Sequence, residues 1–139
     1  MSTAAFSKIN QFILNLGEGV INLNTDDLRV YLSDTAPNVA TSKVKADVPE
    51  IAIGNGYNGP ISIGNSYSQA GGVGSLASVA SISITAAGGS IGPFRYLVLY
   101  DNSVGSLPLI AFWDYGSELT LINGTTLPIV FGANVLQLS

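Results

Sequence analysis

The stretch Gly92-Pro93-Phe94-Arg95-Tyr96-Leu97-Val98-Leu99-Tyr100, followed by Leu109-Ile110-Ala111-Phe112-Trp113, decides the fold. In a strand, side chains alternate between two sides. Phe94, Tyr96, Val98 and Tyr100 then share one side, and Arg95, Leu97 and Leu99 share the other. Large apolar groups stand on both sides, so both are expected to be covered. One side is expected to meet a helix and the other a second sheet or a neighbouring subunit. Half of the chain's aromatic residues fall between Phe94 and Tyr115. Phe94, Tyr96, Val98, Tyr100, Phe112 and Trp113 are therefore the expected core, formed where two adjacent strands meet.

Strand and turn signals continue on both sides of this pair. Leu28, Val30 and Leu32 alternate with Arg29, Tyr31 and Ser33, which reads as a half-buried strand ended by Asp34-Thr35-Ala36-Pro37-Asn38. Residues 38–49 are the most polar and charged, and read as an exposed loop. Residues 51–53, 61–63, 80–85 and 135–138 are short strand candidates. Residues 119–122 and 125–130 flank Asn123-Gly124, the dipeptide that favours a type I′ hairpin, and Pro128 places the second strand at an edge or interrupts it. Gly71-Gly72-Val73-Gly74-Ser75 and Gly88-Gly89 read as wide flexible joints.

The front of the chain differs. Phe6, Ile9, Phe12, Ile13 and Leu16 recur at spacings of three and four, which predicts a helix over residues 3–16. Ser2 or Thr3 can cap it, and Gly17 stands where a C-terminal glycine belongs. So short a helix is marginal alone in water. It is expected to cover one end of a sheet or to reach another subunit as an arm. The whole is expected to be mainly β: an antiparallel β-sandwich or jelly-roll-like barrel with one short N-terminal helix. It reads as a single domain over 1–139, with 1–17 the helix or arm and 18–139 the β-rich body.

Composition bounds the function. Only 10% of the 139 residues are charged, against roughly 25% in ordinary soluble domains, and mean hydropathy is +0.41. Even so, no apolar run approaches the length of a membrane-spanning helix. A surface this poor in charge is expected to be covered by other subunits. The chain has no cysteine and no histidine, which excludes disulfides, thiolate metal sites and triads that need either residue. Net charge is −4, and Lys8, Arg29, Lys43, Lys45 and Arg95 form no basic patch in the sequence, so nucleic acid is not an expected partner. No basic segment followed by an apolar run opens the chain, so the expectation is synthesis in a cytoplasm without a cleaved export signal.

Four motifs compete with simpler readings. Gly54-Asn55-Gly56-Tyr57-Asn58-Gly59 matches a dinucleotide-binding spacing, but Pro60-Ile61-Ser62-Ile63 follows where that mechanism needs a helix. It reads as a tight turn that uses positive φ. Asn123-Gly124-Thr125 fits a glycosylation sequon, which its hairpin reading displaces. Asp26-Asp27, Asp114 and Glu118 are the acidic candidates for hydrolysis or calcium, yet they lack calcium-loop spacing and read as turn and strand-end residues. The aromatics around Trp113 could form a sugar platform, but they read first as core. No catalytic residue, cofactor or metal is expected.

Gly92-Pro93-Phe94-Arg95-Tyr96-Leu97-Val98-Leu99-Tyr100-Asp101-Asn102 and Pro108-Leu109-Ile110-Ala111-Phe112-Trp113-Asp114-Tyr115-Gly116, taken with residues 28–37 and 50–59, resemble a group of small structural proteins of tailed bacteriophages. The resemblance covers most of the chain. It implies a virion component without enzymatic activity, foremost a capsid decoration (cement) protein that stabilises the head by bridging major capsid protein subunits. It also implies location in the virion after assembly in the host cytoplasm. A homotrimer is the expected oligomer, from the symmetry of shells. The candidate interface residues are Phe6, Ile9, Phe12, Ile13 and Leu16 on the helix, and Lys43 and Lys45 in the charged loop. A tail or neck component is the nearest alternative, followed by a carbohydrate-binding module using Trp113, and then by an enzyme limited to carboxylate, Tyr or Lys chemistry.

Overall fold

A computed structural model describes residues 4–132 and 134–138. The chain is mainly β and sandwich-like, with antiparallel sheets and one short α-helix. It runs through β1 (Ala5–Lys8), α1 (Asn10–Gly17), β2 (Leu28–Ser33), β3 (Ile61–Ser62), β4 (Asn65–Ala70), β5 (Val73–Ser78) and β6 (Ile82–Thr85). It closes with β7 (Ile91–Asp101), β8 (Leu109–Leu121), β9 (Thr126–Ile129) and β10 (Leu136–Leu138). The strands form a five-stranded sheet β1-β8-β7-β2-β3, a three-stranded sheet β10-β5-β4 and a two-stranded sheet β6-β9.

The long strands β7 and β8 are the middle of the large sheet because they carry the most apolar surface. Directly opposed residues of antiparallel strands point to the same side. Val30, Leu99 and Ala111 therefore share one side with Leu32, Leu97, Trp113 and Phe6, while Tyr31, Val98 and Phe112 share the other with Ser33, Tyr96 and Asp114. A register shift between Phe94 and Tyr96 takes Phe94 out of the expected row. It packs in a second cluster with Leu32, Tyr57, Ile84, Ile91 and Leu121. Ile61, Leu97 and Ile129 touch both this cluster and the main one, so the core is continuous.

Four expectations are corrected. The helix is shorter than its apolar spacing suggests: residues 5–8 form β1, with Phe6 opposite Trp113, and α1 begins only at Asn10. Backbone pairing decides this, since the Ile9 amide donates to the Ile110 carbonyl and the Asn10 amide to the Val39 carbonyl. Ser2 and Thr3, the expected caps, lie outside the described residues. Strand β2 is covered on both sides, with Tyr31 and Ser33 buried, because the segment at Val48 and Pro49 lies over it and accepts the Tyr31 and Ser33 hydroxyls at its carbonyls. The turn at Asn123-Gly124 does not join paired strands: β8 pairs with β7 as far as Leu121, and β9 pairs with β6. Only Gly124 has positive φ there, whereas a type I′ turn needs it at both central residues. Conversely, Gly71-Gly72 is no flexible joint. Both glycines have positive φ, and Ala70 pairs directly with Val73, so they make a two-residue hairpin turn.

Candidate functional site

Trp113 stands on the side of the large sheet that faces the chain's C-terminal part. Its ring lies 5.3 Å from Phe6 and 5.2 Å from Phe131, tilted by about 50° to each. Trp113 thus packs against two rings of its own chain and stays half-buried. Beside it runs an open apolar groove of about 510 Å³, bordered by Phe94, Leu97, Trp113, Leu127, Ile129 and Phe131. Arg95 reaches that border already engaged, because its guanidinium donates two hydrogen bonds to Asp114, at 2.8 and 3.2 Å. The pair holds the Asp114 carboxyl below the usual Asp range. Glu118 is raised by the neighbouring Asp34 carboxyl; it and Asp114 both lie within β8, at a register irregularity, and do not flank a turn as expected. Asp114 therefore acts as an ion-pair partner, and its carboxylate is committed to Arg95.

The opposite side of the large sheet carries a polar network beneath residues 43–57. The Lys45 ammonium lies 4.7 Å from the Tyr31 ring centre and 5.9 Å from that of Tyr100, positions that suit cation–π attraction. It also donates to Glu50 at 3.0 Å. The Tyr57 hydroxyl donates to the other Glu50 oxygen and accepts the Leu32 amide proton at 3.1 Å. The Tyr31 hydroxyl donates to the Val48 carbonyl at 2.7 Å. Burial, and then Glu50, push the Tyr31 and Tyr57 hydroxyls well above the usual tyrosine range. These tyrosines are therefore neutral structural ties. The turn that delivers Tyr57 is the glycine-rich loop: Gly54 and Tyr57 exchange both backbone hydrogen bonds, with positive φ at Asn55 and Gly56.

The charged segment 38–49 is mostly exposed but anchored. The Lys45 amide donates to the Leu107 carbonyl, and the Leu109 amide to the Lys43 carbonyl. Asp47 accepts from the Lys43 and Val44 amides at 2.9 and 3.1 Å, which lowers its carboxyl pKa.

The candidate interface residues therefore divide. Ile9 and Phe12 are wholly buried in the chain's own core and present nothing outward. Leu16 is half-buried against that core. Phe6 is partly exposed at the edge strand, Lys43 is exposed, and Lys45 is held by Glu50 and the two tyrosines. Ile13 remains open at 51% exposure, and the structure adds Leu14 at 52%. Val20 and Val39 are also exposed, just after α1 and beside its first turn. The sequence did not single out Leu14, which lies off the three-and-four stripe. That departure was the available signal for a second apolar face. Of the expected core, Phe94, Tyr96, Val98, Tyr100 and Phe112 are buried, and Trp113 is half-buried. Sequence reading also passed over Glu50, Tyr57 and Asp101, all of which are tied into the interior.

Among the described residues, no three His, Cys, Asp or Glu side chains are placed to hold a metal ion. No helix among them is long and apolar enough to cross a membrane, which does not bear on crossing by strands. Comparison with protein-family models, with curated proteins and with solved structures finds no match to the chain.

Proposed function

We propose that this chain is a non-enzymatic structural subunit of a tailed-phage virion, a decoration (cement) protein that binds the major capsid protein on the head shell as a homotrimer. The observation that carries the reading is the pairing of 10% charged residues with an open apolar surface at α1, formed by Ile13, Leu14, Val20 and Val39. On a lone monomer this surface is a solubility liability. Packed against a shell it is contact area with little charge to desolvate. Repeated copies on a symmetric lattice then hold by avidity, without tight single contacts. The exposed Ser, Thr, Asn and Gly residues of the turns supply adaptable polar contacts at the rim. The resemblance in the β7 and β8 segments supports the same reading.

The test is co-sedimentation of the purified chain with heads lacking it, using the native chain and an Ile13→Asp/Leu14→Asp variant. The native chain is expected to bind in a fixed copy number and to raise the temperature at which heads rupture. The variant is expected to keep its own Tm and to lose binding. Failure of the native chain to bind heads overturns the reading.

A further inference from the structure

Asp101, at the end of β7, is a buried carboxyl group with one oxygen unpartnered. Its side chain is wholly buried. One oxygen, Oδ1, accepts the Ser103 amide at 2.9 Å. The other, Oδ2, has no hydrogen-bond donor. A second carboxyl group, that of Asp26, comes within hydrogen-bonding reach of the Asp101 carboxyl group. Asp26 is itself held in place: one of its oxygens accepts the Asn22 amide at 2.9 Å, and its backbone carbonyl accepts from Asn65 Nδ2 at 3.0 Å.

The surrounding groups offer no compensating cation. Asp101 is opposite Leu28 at the start of β2. The turn after β7 presents the Ser103 and Val104 amides. The turn before β2 presents Asp26 and Asp27. Arg29, the cation nearest in sequence to Asp26, is committed to Asp27 at 2.8 Å, and Arg95, the nearest to Asp101, to Asp114 at 2.8 Å. Tyr100, the adjacent residue, gives its hydroxyl to Asn102 at 3.0 Å. Among the described residues, Asp101 takes part in no ion pair.

A buried carboxylate with a vacant oxygen beside a second carboxylate is strongly disfavoured. One proton removes both penalties: it neutralises one group and supplies the missing donor. We infer that Asp101 carries that proton and donates it to the Asp26 carboxyl group, so that the two acids form an acid-locked clasp between the turn before β2 and the turn after β7. The same two turns are joined by backbone and side-chain bonds: the Asp27 amide donates to Ser103 Oγ at 2.8 Å, and the Asn102 amide to the Asp27 carbonyl at 2.9 Å. Losing the proton would therefore set like charges against each other inside a stitched junction.

Burial, and then Asp26, push the Asp101 carboxyl up to about 7 from the ordinary value of 3.8. A carboxyl whose pKa is raised in the fold gives stability that is fully present below its unfolded value. That stability is lost as pH rises through the folded value. The clasp is thus closed in mild acid and opens in mild base.

The experiment follows the side-chain carboxyl carbons by 13C NMR in the full chain, with thermal melts from about pH 5 to about pH 9. In the native protein Asp101 is expected to titrate at least two pH units above ordinary aspartate. In Asp26→Asn its midpoint is expected to fall by a unit or more. The native Tm is expected to decline across the lower half of that range and to level off once pH passes the folded value of about 7, and Asp101→Asn to flatten the decline. The NMR titration of the native chain stands even where a variant folds poorly. An ordinary Asp101 midpoint overturns the inference. So does a calcium-dependent rise in Tm at the alkaline end that is lost in Asp101→Asn, because the pair would then hold a cation in place of the proton.

Discussion

Replacing Phe12 with alanine tests where helix α1 keeps its apolar face. Phe12 is wholly buried, and its neighbour Ile13 is 51% exposed. Losing a buried phenyl ring costs about 3–5 kcal/mol through lost transfer energy and the cavity left behind. At about 2.1 cal/mol/K per residue, the 139 residues have an unfolding entropy near 0.3 kcal/mol/K. Phe12→Ala is then expected to lower Tm by about 10–17 °C. Ile13→Ala removes a mostly solvated side chain and is expected to change stability by no more than about 0.5 kcal/mol, or about 2 °C. The assay is calorimetry at protein concentrations spanning about two decades, because an oligomer held by the helix would show a concentration-dependent Tm. If both substitutions cost the same, or if Phe12→Ala costs nothing, the helix is an arm and is not docked on its own β8.

Three further outcomes follow from the same packing. Gly56→Ala is expected to cost about 2–4 kcal/mol in urea unfolding, because Gly56 has φ +100° and a Cβ there would collide with the Thr85 carbonyl. Gly17→Ala, which faces open space, is the control and is expected to stay within about 1 kcal/mol. Glu50→Gln is expected to cost about 1–2 kcal/mol by leaving a largely covered Lys45 without its counter-charge. Asp27→Asn, in a pair whose side chains are about a third exposed, is expected to cost less than about 1 kcal/mol; equal costs would contradict the covered network beneath residues 43–57. Arg95 holds the Asp114 carboxyl low, so that pair stabilises above the ordinary aspartate range and its contribution fades as pH falls through the lowered folded value. Arg95→Gln is expected to flatten the acid limb of the Tm profile by a small amount, and an unchanged limb would refute the pairing.

The parts of the fold that were legible are those where burial alone sets the pattern. Residues 94–100 and 109–113 are dense in large apolar groups, and only a central position in a sheet satisfies such density. Ile82 and Ile84 alternate cleanly with exposed Ser83 and Thr85, so β6 could be read directly. Strand β4 could not, because Asn65-Ser66-Tyr67-Ser68-Gln69-Ala70 has almost no apolar face. It is a strand because the Gly71-Gly72 turn folds it back onto β5. Phe6 misled for a different reason. Its spacing to Ile9 and Phe12 fits a helix, yet a single phenylalanine fits a strand equally well, and pairing with β8 decided the matter.

The candidate site shows the same division. Low charge is visible in composition, but which apolar residues remain outside depends on which face of α1 is covered. Ile9 and Phe12 went inward, and Ile13 and Leu14 stayed out. The pairing of Asp26 with Asp101 spans most of the chain. It exists only because β2 and β7 are neighbours, and no local pattern announces it.

The most direct test of the proposed role is an electron cryo-microscopy reconstruction of the intact particle. Density for this chain is expected in symmetric copies on the outer face of the head shell, with the α1 end carrying Ile13 and Leu14 against the major capsid protein. A head with no such density, or the chain found in solution as a dispersed monomer beside complete particles, would contradict that role.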